Sequence, residues 1–329
     1  MAEAEMRMTD KQHPSRFATD AVHSGTQHIG DAVNTPIFQS STYKLTDERY
    51  AGWAAGAQHT LLYARLSSVN SDAVAQKLMA LEGGEDAETF SSGMGAISAT
   101  LMALLNQGDH MVASADIYGG TYGLLTEEFP RFGISTTMAD MRDPASYEAA
   151  IQDNTKLLYI ETLTNPVLKV CDIEAMAEVA KRHNLLLLID NTFASPWGCK
   201  PLEMGVDLVI HSTTKYLGGH SDILGGAVVG SKDLIAQIFM RKVHFGAAPD
   251  PHSCYLLERG MRTLDVRMPR ICENAHQLAV RLEDHAAIER VYHSKLASHP
   301  DYEIAERILP NGSGMVAFVV KGGDDAALK

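Results

Sequence analysis

From about residue 73 onward, short apolar runs alternate with longer amphipathic stretches. The runs His110 to Ser114, Ile134 to Met138, Leu157 to Glu161, Leu185 to Asp190, Leu208 to His211 and Gly226 to Gly230 are too short for helices and predict buried strands. Stretches with helical spacing lie between most of them, such as Ala96 to Leu105 and Ile173 to His183. An earlier helical stretch, Ala73 to Leu81, stops at Gly83-Gly84, a C-terminal signal. This is the βαβα rhythm of a mostly parallel sheet covered by helices. Near Arg267 the rhythm changes to a long helix, Pro269 to His285, followed by one strand, Met315 to Val320. The expected organisation is an N-terminal arm over residues 1–70 with little regular structure, a large α/β domain over 71–260, and the start of a smaller α+β domain over 261–329.

Composition narrows the class. With 329 residues, 45% apolar and 21% charged, the chain can bury a core and reads as a soluble globular protein. Asp and Glu outnumber Lys and Arg by 41 to 28, and the net charge of -13 repels nucleic-acid phosphate. A local basic pocket for one small phosphate stays compatible with that field. The longest aliphatic run, Leu185 to Ile189, is far too short to span a membrane, and residues 1–17 hold no apolar segment of a secretory signal. None of the four cysteines forms a C-x-x-C pair. A cytoplasmic protein with reduced thiols and no nucleic-acid or membrane partner is expected.

In open α/β sheets, ligands bind at the carboxyl ends of strands. The polar residues there are Glu161-Thr162 with Asn165, Asp190-Asn191-Thr192, and His211 to Lys215. Upstream, Ser91 to Gly95 opens a helix, and reads either as an anion nest or as an ordinary N-cap with a glycine turn. Asp190 caps a buried apolar run, so its carboxylate needs a partner. A protonated ring nitrogen would serve, and so would a helix N-cap or a salt bridge. Lys215 sits among hydroxyls and glycines just past a buried strand, unlike a solvated surface lysine. Together, a nest, a strand-end aspartate and a strand-end lysine suit a phosphate-bearing pyridine aldehyde. His211 and His220 flank the lysine without a third ligand at metal spacing, so no metal is expected.

The residues His211 to Asp222, Tyr63-Ala-Arg65, Leu81 to Gly84, Ser91 to Met94, Tyr118 to Thr121, Glu161 to Pro166, Ile189 to Thr192 and Arg259 to Leu264 carry a resemblance. The chain resembles the Cys/Met-metabolism (trans-sulfuration) family of fold-type I enzymes dependent on pyridoxal 5'-phosphate (PLP), the family of cystathionine γ-lyase, methionine γ-lyase and cystathionine γ-synthase. The resemblance implies that Lys215 holds PLP as a Schiff base and shuttles protons. Asp190 would face the pyridine nitrogen, and Tyr118 would stack on the ring and act near the leaving group. Ser92, Gly93 and Met94 would serve the phosphate, with hydroxyls from Ser212 and Thr214. Asn165 would sit near the ring's 3'-oxygen, and Thr192 would complete the cofactor set. Tyr63 and Arg65 would reach the phosphate of a neighbouring subunit, which implies a homo-oligomer, at least a dimer, with a homotetramer expected.

The activity this implies is γ-elimination from a γ-substituted L-amino acid. The alternatives are γ-replacement on an activated homoserine and, from another class, a PLP-binding regulator without turnover. Three departures from the family pattern stand out. Ser68-Val69-Asn70 replaces an Asn-Pro-Thr tripeptide. The family's substrate-carboxylate arginine lies well downstream of Val320, so either the sequence is a fragment, the reading favoured by a helix starting at Asp324, or the protein lacks that carboxylate clamp. Gly120 stands where methionine γ-lyases often carry cysteine.

Overall fold

The computed structural model describes residues 15–328. The first residues, on which the absence of a secretory signal was read, lie outside that range. Seven strands form one sheet: β1 (Asp86–Phe90), β2 (His110–Ser114), β3 (Ser135–Ala139), β4 (Thr155–Glu161), β5 (Leu186–Asp190), β6 (Leu208–His211) and β7 (Gly226–Gly230). Their order is β1-β7-β6-β5-β4-β2-β3. Only β7 runs antiparallel, against β1 on one side and β6 on the other. The α/β architecture expected from the apolar rhythm is therefore present.

Strand alternation explains how both sheet faces are buried. Leu157 and Tyr159 of β4 point into one core with Leu188 and Ile210, under the helices Gly93–Leu104 and Lys232–Phe245. Leu158 and Ile160 point into the opposite core with Leu187, Ile189 and Val209, covered by the helix Ile173–Arg182. A third cluster joins Ala87, Ala227 and Val229 to the helices Val69–Glu82, Pro251–Met261 and Leu264–Glu283.

Strand β1 escaped the sequence reading, because Asp-Ala-Glu-Thr-Phe does not look apolar. Glu88 is buried there against Lys242 at 2.8 Å, both side chains 2% exposed. The ion pair lets a charged residue occupy a core strand. The arm is also more regular than expected, holding the helices Ser15–His23 and Asp47–Ala54. Helix Val69–Glu82 starts four residues before the apolar pattern does, because Ser68 and Ser71 form a reciprocal capping box. The departure Ser68-Val69-Asn70 is thus a helix start. Asn70 ties the arm to it, accepting from the Phe38 N–H and donating to the Pro36 carbonyl, both at 2.9 Å.

The helix expected to begin at Pro269 begins at Leu264 and holds Pro269 inside. Buried Leu264 and Met268 keep the preceding turn helical despite the missing N–H. Beyond it, β8 (Ile288–Tyr292) pairs antiparallel with β9 (Ala317–Val320). Strand β8 was also missed, since Glu289 and Arg290 break its apolar run.

Candidate active site

The carboxyl ends of β4, β5 and β6 and the turn after β6 carry most of the residues singled out above. Asp190 ends β5 directly beside Glu161 at the end of β4. Burial pushes the Asp190 carboxyl above the usual carboxylate range, and hydrogen bonds from Thr192 and the field of His211 oppose that rise. Thr192 acts as a brace. Its N–H donates to Asp190 Oδ1 at 2.9 Å, and its hydroxyl oxygen accepts the Ser212 N–H at 2.8 Å. The carboxylate and the lysine turn are therefore linked through one threonine.

The lysine turn is tied down at several points. The Lys215 N–H donates to the Ser212 carbonyl and the Gly219 N–H to the Lys215 carbonyl, at 3.2 and 2.7 Å. Thr214 spends its hydroxyl on Gly225, accepting from its N–H at 3.1 Å and donating to its carbonyl at 3.3 Å. Arg267 donates to the Gly260 carbonyl, and its guanidinium covers Gly219. The Lys215 side chain is exposed, and no hydrogen bond or ion pair among the described residues occupies its ammonium. It lines an open cavity of about 700 Å³ together with Thr214, Asp222, Arg267 and Met315.

The nest after β1 adjoins this turn. Ser92 caps the helix Gly93–Leu104 through the Gly95 N–H. The Gly93 and Met94 N–H groups of the first turn have no intrahelical acceptor. A methyl group on Gly93 would lie 2.9 Å from Ser212 Cβ, so only glycine lets the helix start and Ser212 come together. Two free N–H groups at a positive helix end, a serine hydroxyl, a half-buried strand-end carboxylate and an unpaired lysine fit the phosphate, ring nitrogen and aldehyde of PLP.

Tyr118 opens the segment after β2. Its N–H donates to Glu161 Oε1 at 2.8 Å, and its ring is 48% exposed, free to face a ligand. Glu161 also accepts from the Asn165 N–H; burial, then the Asp190 charge, raises its carboxyl well above the ordinary range. Glu161 thus holds both Tyr118 and Asn165, a role that the sequence reading did not assign. Its position as the register partner of Asp190 was the available signal. A methyl group on Gly120 would meet the Tyr118 ring at 2.6 Å and the Met94 sulfur at 3.1 Å. Any side chain there would press on the ring.

Tyr63 and Arg65 are not gathered into this site. Arg65 donates to the Val243 carbonyl at 2.7 Å and lies 5.3 Å from the Tyr63 ring centroid. Among the described residues, no group of three His, Cys, Asp or Glu side chains could hold a metal, and no helix is long and apolar enough to cross a membrane. The four cysteines are buried and unpaired.

A family model described as Cys/Met metabolism PLP-dependent enzyme matches residues 18–329. The chain belongs to this family. As a member of the Cys/Met metabolism family it is a PLP-dependent enzyme of trans-sulfuration chemistry, the chemistry of carbon–sulfur lyases and their synthase relatives. It is 42% identical to an L-methionine gamma-lyase of Porphyromonas gingivalis over 320 residues, covering 96% of this chain and 80% of the relative. It is 41% identical to a probable cystathionine gamma-synthase of Herpetosiphon aurantiacus, covering 94% and 96%. A crystal structure of cystathionine gamma-lyase from Lactobacillus plantarum complexed with L-serine superposes with a TM-score of 0.87 at 36% identity, covering 93% of this chain and 79% of that one. Family membership makes PLP the cofactor and fold type I the architecture.

Proposed function

We propose that the chain catalyses γ-elimination from a γ-substituted L-amino acid, giving a 2-oxo acid, ammonia and the leaving group. The substrate class is sulfur-linked, such as cystathionine, homocysteine or methionine, and an oxygen-linked group belongs to the same chemistry. The observation that carries the reading is the unpaired Lys215 amine, exposed on a cavity whose neighbouring strand end presents Asp190.

PLP, when bound, supplies an electron sink for charge that develops beside the amino group. The chain's own residues do the rest. Gly93 and Met94 N–H groups and the Ser212 hydroxyl bind the phosphate. Asp190, whose carboxyl burial raises, would meet the ring nitrogen, and a cation there would favour the carboxylate. Lys215 holds the cofactor, then moves protons at the substrate's Cα. Tyr118 stands on the exposed side, where its phenol protonates the departing group. Tyr63 and Arg65 serve the site of a neighbouring copy, which makes the active unit at least a dimer.

A second reading is γ-replacement, in which a thiol takes the place of an acyl leaving group on the same carbon. Gly120 leans away from a dedicated methionine γ-lyase and does not select among the other activities. The early proton movements are shared, so the same residues serve both. Incubation with O-acetylhomoserine, with and without sulfide, decides between them when 2-oxobutanoate is scored. Elimination predicts ketone in both conditions. Ketone only in the absence of sulfide would establish the transferase.

A further inference from the structure

Four side chains that this chemistry leaves unused form a buried polar chain behind the site. Glu82, Asn191 and Thr162 are 0% exposed and His211 is 1% exposed. Glu82 ends the helix Val69–Glu82. The other three come from three adjacent strand ends, each one residue from a residue of the site. Thr162 follows Glu161, Asn191 follows Asp190, and His211 precedes Ser212. Thr162 Oγ1 donates to Asn191 Oδ1 at 2.7 Å. Asn191 Nδ2 donates to Glu82 Oε1 at 3.2 Å and to the Cys199 carbonyl at 2.9 Å. His211 Nε2 meets the same Glu82 oxygen at 2.5 Å. One carboxylate oxygen therefore joins the ends of β5 and β6.

The location is informative. Strands β5 and β6 are paired over only three residues, the last pair being Asp190 and Ile210. The clamp lies where that ladder stops and the functional turns begin. Its hydrogen bonding is incomplete, because Glu82 Oε2 and His211 Nδ1 are buried without partners among the described residues. A buried polar pair of this kind is weak evidence for stability, and fixing register is the best-attested use of such pairs. A change of register would turn Asp190 away from the site.

We propose that Glu82 is a positioning residue for the cofactor site. Through His211 and Asn191 it holds the two strand ends level, so that Asp190 and the Ser212–Lys215 turn meet the same ligand. The proposal rests on the reading that Asp190 and Lys215 hold PLP.

The test uses full-chain protein stripped of cofactor and titrated with PLP. The readouts are the dissociation constant, the pH midpoint of the bound cofactor's visible band, and the melting temperature of the apo form. Leaving buried partners unsatisfied predicts that Glu82→Ala weakens PLP binding by about 10- to 100-fold and displaces the midpoint. Glu82→Gln keeps an oxygen acceptor for Asn191, and binding returns to within about three-fold of the parent. Because the residues act as a unit, adding Asn191→Ala to Glu82→Ala costs little more. Parental affinity and midpoint in Glu82→Ala, even with a lowered melting temperature, would overturn the proposal. Should Glu82→Ala not fold, His211→Gln carries the test, with weakened binding expected and parental values decisive against it. Lys215→Ala is the control for the underlying reading: borohydride that still fixes the cofactor covalently to this variant would sink that reading, separately from the role of Glu82.

Discussion

Two carboxyl groups, Glu161 and Asp190, end neighbouring strands, and burial raises both. They are held differently. Glu161 accepts backbone N–H groups from Tyr118 and Asn165, whereas the Asp190 carboxyl takes its hydrogen bonds from Thr192 alone among the described residues. That difference supports the proposal that Asp190 meets a cationic ligand while Glu161 holds the Tyr118 segment. Asp190→Asn preserves shape and removes charge. Turnover is expected to fall by about 100-fold or more, as when a preorganised electrostatic group is lost, with the folded state retained in a melting experiment. Lys215 and Asp190 were legible in the sequence because a polar residue that follows a buried apolar run stands at the ligand-binding edge of such a sheet. Glu88 was not, because nothing local announces a partner 154 positions away at Lys242. Glu88→Ala leaves that ammonium buried without its counter-ion, hydrogen-bonded only to the Leu66 carbonyl among the described residues, and a loss of about 3–5 kcal/mol is expected in denaturant unfolding.

At the level of elements, the sequence revealed strands that are buried on both faces and hid those that carry charge. Strands β2, β6 and β7 match the apolar runs residue for residue, because their side chains have nowhere polar to point. Strands β1 and β8 do not, since Glu88 in one and Glu289 and Arg290 in the other interrupt the pattern. Helix starts were also hidden. Ser68 caps by side-chain geometry, and Leu264 starts its helix by burial. In the segment after that long helix, His293 accepts the Lys295 N–H at Nδ1 and donates from Nε2 to the Ser313 carbonyl. That tautomer is neutral, and burial lowers its pKa from 6.5 to about 4. The neutral ring is therefore the native form, and its contribution is complete above about pH 6.5 and lost as pH falls toward about 4. The facing groups His276, His299 and Lys295 all oppose a further positive charge. Unfolding titrations between these pH values should show a shallower pH dependence in His293→Gln than in the parent. Equal slopes would show that His293 contributes nothing to it.

At the scale of the whole molecule, one chain carries Lys215, Asp190 and the Ser92-capped helix start, and holds Arg65 elsewhere, against Val243, with Tyr63 beside it. The motif was legible in the sequence, and its proposed action on another copy is a matter that one chain's packing does not decide. If Arg65 acts on a neighbour, two inactive variants complement each other. Arg65→Ala mixed with an equal amount of Lys215→Ala and reassembled should regain about one quarter of parental activity, because half of the resulting dimers are mixed and each holds one intact site. Action within the same chain would give no recovery. The central claim is that Lys215 holds the cofactor, and borohydride reduction of the PLP-loaded protein followed by peptide mapping tests it most directly. The reduced pyridoxyl label is expected on the peptide that contains Lys215. Label on any other lysine peptide would contradict the claim.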